Sequence, residues 1–193
     1  MNNNLKTALV VGSHGVIGRN LIDHLLPLND WNIIGLSRRG GPSTDRVQQI
    51  AVDLLDKEAV AMKLNTLTGV THIFYAAYQD RPTWAELVAP NLAMLVHVVE
   101  TVEAIAPRLQ HISLMQGYKV YGAHLGPFKT PARETDAGTH MPPEFNVDQQ
   151  QFLEQRQAGK SWTWSAIRPS VVGGFALGNP MNLAMVIAVY ASI

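Results

Sequence analysis

The sequence predicts an α/β protein built on a doubly wound parallel sheet, and three observations carry that prediction. Short apolar runs alternate along the chain with segments of helical spacing. The first run, Thr7-Ala8-Leu9-Val10-Val11, is short and β-branched, as a buried parallel strand is, and it feeds at once into the turn Gly12-Ser13-His14-Gly15-Val16-Ile17-Gly18. The chain has 193 residues, 47% of them hydrophobic and 16% charged, which suits one well-buried domain and is short for two. Residues 1–193 are therefore read as a single domain.

The elements follow in order. After the glycine turn, residues 19–26 carry apolar side chains at helical spacing, and residues 31–36 form a second strand ending in Ser37-Arg38-Arg39. Residues 40–45 read as a loop, and 47–52 as a third strand that ends at Asp53-Leu54. Residues 57–67 have helical spacing, with Asp53 a candidate cap. Residues 70–78 form a fourth strand running through Tyr75 into the small-residue turn Ala76-Ala77. A long helix spans 84–106, with Leu92, Leu95, Val96, Val99, Val102 and Ile105 on one face. Residues 108–115 are a fifth strand, followed by Gln116-Gly117-Tyr118-Lys119-Val120-Tyr121-Gly122. Residues 126–143 are rich in Pro, Gly, Thr and charge and read as a long loop, a candidate lid. A polar helix at 145–157 and a sixth strand at 162–169 complete the alternation, and Ser170-Val171-Val172-Gly173-Gly174 follows.

The glycine turn carries the chemistry. Gly12 lets the chain leave the strand sharply, Gly15 lets the backbone approach a pyrophosphate, and Gly18 lets the helix pack against the sheet. The helix then points unpaired N–H groups and its positive dipole end at the phosphates. The spacing is GxxGxxG rather than GxGxxG, and its strength lies in its placement between an apolar strand and an amphipathic helix. His14 sits inside this turn as a candidate cofactor contact. An NAD site places a carboxylate at the tip of the second strand to bond the ribose 2′-OH. Here Ser37, Arg38 and Arg39 stand there, and two guanidiniums with a hydroxyl suit a 2′-phosphate, so the cofactor expected is NADP(H). Asp53 and Leu54 fall near the adenine, and Tyr75, Ala76, Ala77 and Gln116 lie on the strand edge where ligands of open α/β sheets collect.

Charge and composition exclude other classes. Net charge is zero, so there is no electrostatic footprint for nucleic acid or an anionic membrane. Cysteine is absent, which excludes disulfides and thiolate metal sites, and the seven histidines show no paired ligand spacing. Met1-Asn2-Asn3-Asn4 leads straight into the first strand without room for a signal peptide, so a cytoplasmic address is expected. The longest apolar stretch, residues 181–193, is too short to span a bilayer and stops at Ile193 without a cap, which points to a fragment or to cover supplied by a partner.

Taken in order, Gly12 to Asn20, Ser37-Arg38-Arg39, residues 70–75, 111–121 and 162–169, and Met181-Asn182-Leu183 resemble the extended short-chain dehydrogenase/reductase superfamily, which also holds the NAD-dependent epimerases and dehydratases. The Gly-x-Lys-x-Tyr segment at 117–121 and the Trp-Ser-x-x-Arg-Pro segment at 164–169 narrow the resemblance to the progesterone 5β-reductase and iridoid synthase-like group of NADPH-dependent enone reductases. The resemblance implies a Rossmann-type fold. It also implies that Lys119 is the active-site lysine reaching the nicotinamide ribose, and that the segment from Pro169 through Ser170 and Val171 lines the nicotinamide.

Two departures stand out. Members of the group carry a Phe-Tyr-Tyr motif with the catalytic tyrosine, whereas here Phe145 is followed by Asn146 and Val147, and no Tyr-x-x-x-Lys occurs. Asn146 can donate a hydrogen bond to an enolate oxygen but cannot surrender a proton, and Tyr121 or Tyr78 are the substitutes near the strand edge. The group also continues past the position of Ile193 into a smaller C-terminal part that closes over substrate. The expected function is an NADPH-dependent short-chain reductase acting on a small enone or carbonyl compound. The rival is a catalytically silent NADP-binding protein whose cofactor state controls association, homo-oligomerisation included. A nucleotide-sugar epimerase or dehydratase ranks third.

Overall fold

Ala8, Leu9, Val10 and Val11 are all buried, on both faces of the strand β1 (Lys6–Val11), as the centre of a parallel sheet requires. A computed structural model describes residues 5–138, 141, 143–174, 176 and 183–193. Around β1 it assembles β2 (Trp31–Ser37), β3 (Val47–Ala51), β4 (His72–Tyr75), β5 (His111–Met115) and β6 (Thr163–Ile167) in the order β3-β2-β1-β4-β5-β6, every pairing parallel. The order in which strands are added reverses between β1 and β4, and that switch point opens a crevice at the carboxyl ends of the strands.

Alternation along the strands sends each side chain to one of two cores. Leu9, Val11, Ile73, Tyr75, Ile112 and Leu114 pack under α2 (Lys57–Leu64), α3 (Trp84–Ile105) and α4 (Phe145–Gln157). Ala8, Val10 and Ile33 pack under α1 (Val16–Leu25) through Ile22 and Leu25. On that second face the cover ends at β4, and Phe74, Met115 and Ile167 line an open apolar groove beside Ile17 and Leu21 of α1. The helix α5 (Leu183–Ala191) buries none of its residues.

Several boundaries move from their sequence positions for local reasons. α1 begins at Val16, inside the glycine turn itself. α2 is capped by Asp56, whose carboxylate accepts from Ala59 N at 2.9 Å, while Asp53 closes a smaller turn onto Leu55 N. α3 starts with a reciprocal capping box between Thr83 and Glu86. Its buried face runs through Leu87, Asn91, Met94, Leu95, Val98, Val99 and Val102, and Leu92 and Val96 are only half-buried. The expected stripe was rotated because an apolar tally omits Asn91, which is buried and fully hydrogen-bonded. By length and composition α3 alone among the described helices is apolar enough to cross a membrane, but it packs as the core helix between α2 and α4. Within the expected loop 126–143, a short helical turn forms at Glu134–Asp136.

Candidate functional site

The site begins where β1 turns into α1. Gly12 N and Ser13 N both donate to Leu36 O at 3.0 Å, which ties the turn to the end of β2, and Gly15 N closes it onto Gly12 O at 3.0 Å. Gly12 has φ +88°, and a Cβ there would lie 2.9 Å from the Ala76 backbone. A Cβ on Gly18 would lie 2.3 Å from Gly12 O. Gly15 is the N-cap of α1 with no side-chain cap, and the first turn carries no acidic residue, so its N–H groups are left for an anion.

The placement of the other expected cofactor residues divides them. Val16 is buried and Ile17 half-buried in the first turn of α1. Ser13 is buried, with its hydroxyl directed at Leu36 O (3.2 Å) and Gln49 Oε1 (3.3 Å), so it braces the turn. Ser37 Oγ accepts from Gly40 N at 3.0 Å and folds the tip of β2, leaving Arg38 and Arg39 exposed and without a protein partner among the described residues. His14 extends from the turn to this tip, its Nε2 3.3 Å from where a Cβ of Gly41 would stand. Asp53 is exposed just after β3, but Leu54 is buried in the core, and its carbonyl is bonded by the ring of His97 at 2.8 Å. Tyr75 is likewise a core residue, 1% exposed, and burial pushes its hydroxyl pKa up. The backbone of Ala76 and Ala77, by contrast, abuts Gly12.

The other half of the cleft is built from β5, β6 and α4. Tyr118 N donates to Pro169 O, and Gly174 rests on Val16 and Asn20, so the segment after β6 that carries Pro169, Ser170 and Val171 crosses to the start of α1. Ser170 and Val171 are exposed along it. Lys119 lies on the helical turn Tyr118–Tyr121, exposed, with Nζ 4.6 Å from the centre of the Trp84 ring. Asn146 is buried, and its Nδ2 donates to Glu144 Oε1 at 2.9 Å, so the amide turns into the protein instead of out to the cleft. Glu144 also takes Asn146 N at 3.0 Å. Tyr78 is exposed and donates to Asp80 Oδ1 at 2.8 Å; partial burial and that carboxylate push its pKa up.

Arg168 organises this half, and sequence reasoning missed it. Its guanidinium donates to Gln116 Oε1 (2.9 Å), Tyr121 Oη (2.9 Å), Glu134 O (3.0 Å) and Gln150 Oε1 (2.7 Å). Gln116 Nε2 in turn donates to Asn146 O at 2.8 Å. The signal was present in register, because Met115 pairs with Ile167 and so Gln116 and Arg168 leave adjacent strands side by side. Tyr121 therefore has a hydroxyl whose oxygen accepts from Arg168 while its own O–H stays free to donate, and its ring stacks on Phe128. Among the described residues no group of three or more metal-ligating side chains exists.

Comparison with known proteins agrees with this geometry. The profile of the PRISE-like Rossmann-fold domain matches residues 41–193. The chain is 35% identical to an (S)-8-oxocitronellyl enol synthase of Nepeta racemosa and 32% identical to a 3-oxo-Δ(4,5)-steroid 5β-reductase of Arabidopsis thaliana, each time over 96% of this chain and 51% of the relative. The chain thus spans about half the length of the curated relatives it matches. The NAD+ complex of the enzyme WbmH from Bordetella bronchiseptica superposes with a TM-score of 0.73 at 16% identity, over 97% of this chain and 63% of that one, which shows the fold alone. The chain belongs to the PRISE-like Rossmann-fold family of extended short-chain dehydrogenases/reductases.

Proposed function

We propose that the protein is an NADPH-dependent oxidoreductase that reduces a small enone or carbonyl compound. The observation that carries this reading is the glycine cradle set directly beside the unpartnered Arg38 and Arg39. The cradle fits a dinucleotide because Gly12 and Gly18, where a Cβ would press on the backbone of Ala76 and of Gly12 and Ser13, keep the turn tight, and Gly15 leaves its approach without a side chain. The first-turn amides of α1 would bind the diphosphate, and Arg38 and Arg39 the 2′-phosphate. NADPH supplies a hydride when bound. The chain's own residues do the rest. Lys119 holds a positive charge at the edge where the substrate oxygen becomes an oxyanion. Tyr121, fixed by Arg168 and Phe128, presents its free O–H to that oxygen and takes the place of the missing Phe-Tyr-Tyr tyrosine. Asn146 is the poorer donor because its amide is engaged with Glu144.

The test is a screen of cyclic and acyclic enones that follows nicotinamide absorbance, with Lys119→Ala and Tyr121→Phe as controls. Turnover lost in Lys119→Ala and reduced at least tenfold in Tyr121→Phe supports the assignment. Turnover unaffected by both changes refutes it. One observation favours a silent NADP-binding protein instead: the apolar helix α5 has no buried residue, and Val186, Ile187, Val189 and Tyr190 are exposed on it. Tight NADPH binding without turnover, together with cofactor-dependent association, would select that reading.

A further inference from the structure

His14 has no counterpart in the phosphate-binding logic of the glycine turn, which needs only glycine and backbone N–H groups there. Its neighbours fix where its ring must be. Ser13 N is bonded to Leu36 O, so the next residue leaves the turn alongside the end of β2. There the bend at Gly40 (φ +63°) and Gly41 offers no side chain, and the imidazole fills that space, with Nε2 and Cε1 3.3 and 3.5 Å from a Cβ built on Gly41. The floor beneath is neutral: Gln49, whose Oε1 already accepts from Ser13. The ring is half-buried, and neither nitrogen has a hydrogen-bond or ion-pair partner among the described residues. From Ser37 to Thr44 there is no carboxylate to pair with it or to bond a ribose 2′-OH.

An unpaired imidazole thus stands between the phosphate turn and Arg38-Arg39, at the place where the 2′ position of an adenosine ribose lies in a fold of this kind. We propose that His14 is a third ligand of the 2′-phosphate, and that it sets selectivity for NADP(H) over NAD(H) together with the two arginines. Arg38 and Arg39 reach the phosphate from the solvent side on long, mobile stems. His14 is held by the turn, so its Nε2–H is aimed before the ligand arrives and loses little freedom on binding. The inference rests on the NADPH reading above and deepens it.

Calorimetric titration with adenosine 2′,5′-bisphosphate and with AMP isolates the contribution of the 2′-phosphate without any turnover. The proteins needed are the unaltered chain, His14→Ala, and His14→Lys, which puts a hydrogen-bond donor back at that position. A circular-dichroism melt of each confirms folding. The expected result is a preference for the bisphosphate that falls about tenfold or more in His14→Ala, with AMP affinity unchanged, and returns in His14→Lys. Equal weakening of both ligands in His14→Ala means the ring only braces the turn, and overturns the inference while the NADPH reading stands. An unaltered chain that binds AMP as tightly as the bisphosphate overturns both. Should His14→Ala fail to fold, His14→Leu removes the ring nitrogens while keeping bulk, and an unchanged preference for the bisphosphate in His14→Leu overturns the inference.

Discussion

Gly18→Ala sets two effects of opposite sign against each other. Gly18 lies inside α1, where replacing glycine by alanine stabilises an exposed helix by about 1 kcal/mol. In this protein the new Cβ would stand 2.3 Å from Gly12 O, 2.8 Å from Gly12 C and 2.9 Å from Ser13 Cα, all of them backbone atoms. To reach ordinary contact the turn must retreat by about 1 Å, an overpacking cost of about 1–3 kcal/mol. The retreat also stretches the bond from Gly15 N to Gly12 O, worth about 1 kcal/mol. The clash wins, and the net loss is about 1–3 kcal/mol. The same retreat displaces the amides that would hold a diphosphate, so cofactor affinity falls at least tenfold. Gly15→Ala separates the two consequences. Its Cβ meets Gly12 O at 3.4 Å, ordinary contact, so stability stays within about 0.5 kcal/mol of the parent while binding weakens because the methyl group occupies the approach of the pyrophosphate. Urea unfolding and nicotinamide fluorescence measure both quantities. A Gly18→Ala protein that gains the stability expected from helix propensity and binds cofactor normally would refute the reasoning.

Arg168→Met releases four acceptors at once and should cost about 2 kcal/mol, with faster proteolysis between Gly122 and Asp136; Arg168→Lys does not rescue, since one ammonium cannot serve the positions of Nε, Nη1 and Nη2 together. Asn91→Leu leaves the N–H and C=O of Gln79 without their side-chain partners and should lower stability by about 2–3 kcal/mol in urea unfolding, far more than an isosteric change at the half-buried Leu92. His72 and His111, in register on β4 and β5, both have pKa values below the ordinary 6.5, His72 through burial and then the charges of His111 and Lys6, His111 through burial. Below about pH 6.5 the unfolded chain binds more protons than the fold, so stability is complete above that pH and declines as pH drops through the folded values. Melting temperatures between about pH 8 and pH 5 should show this decline, and His72→Gln with His111→Gln should flatten it.

What the sequence disclosed and what it hid differ by kind of interaction. β1, the glycine turn and α4 were legible because apolar run, turn chemistry and helical spacing agree there with the tertiary fold. The convergence of the strand ends on one edge was legible for the same reason, since it holds in any parallel sheet. The face of α3 was misread because Asn91 is buried among apolar neighbours for its hydrogen bonds. Tyr75 and Leu54 were placed at the cleft because residue number locates a backbone, whereas the strand's two-residue period decides which side chain turns to the core. The Arg168 network joins residues 18 to 52 positions apart, from Gln150 to Gln116, and no local pattern announces it. Asn146 occupies the position of an expected catalytic tyrosine, but only its three-dimensional neighbour Glu144 shows that its amide faces inward.

The central claim is that the glycine cradle and the arginine tip of β2 form one NADP(H) site. Titrating the chain with NADPH and with NADH while following nicotinamide fluorescence tests it most directly, with Arg38→Ala/Arg39→Ala beside it. The account predicts a preference for NADPH of at least tenfold that disappears in the double variant, because each guanidinium–phosphate contact contributes about 1.5–3 kcal/mol. Equal affinity for the two cofactors, or a preference that survives loss of both arginines, would contradict it.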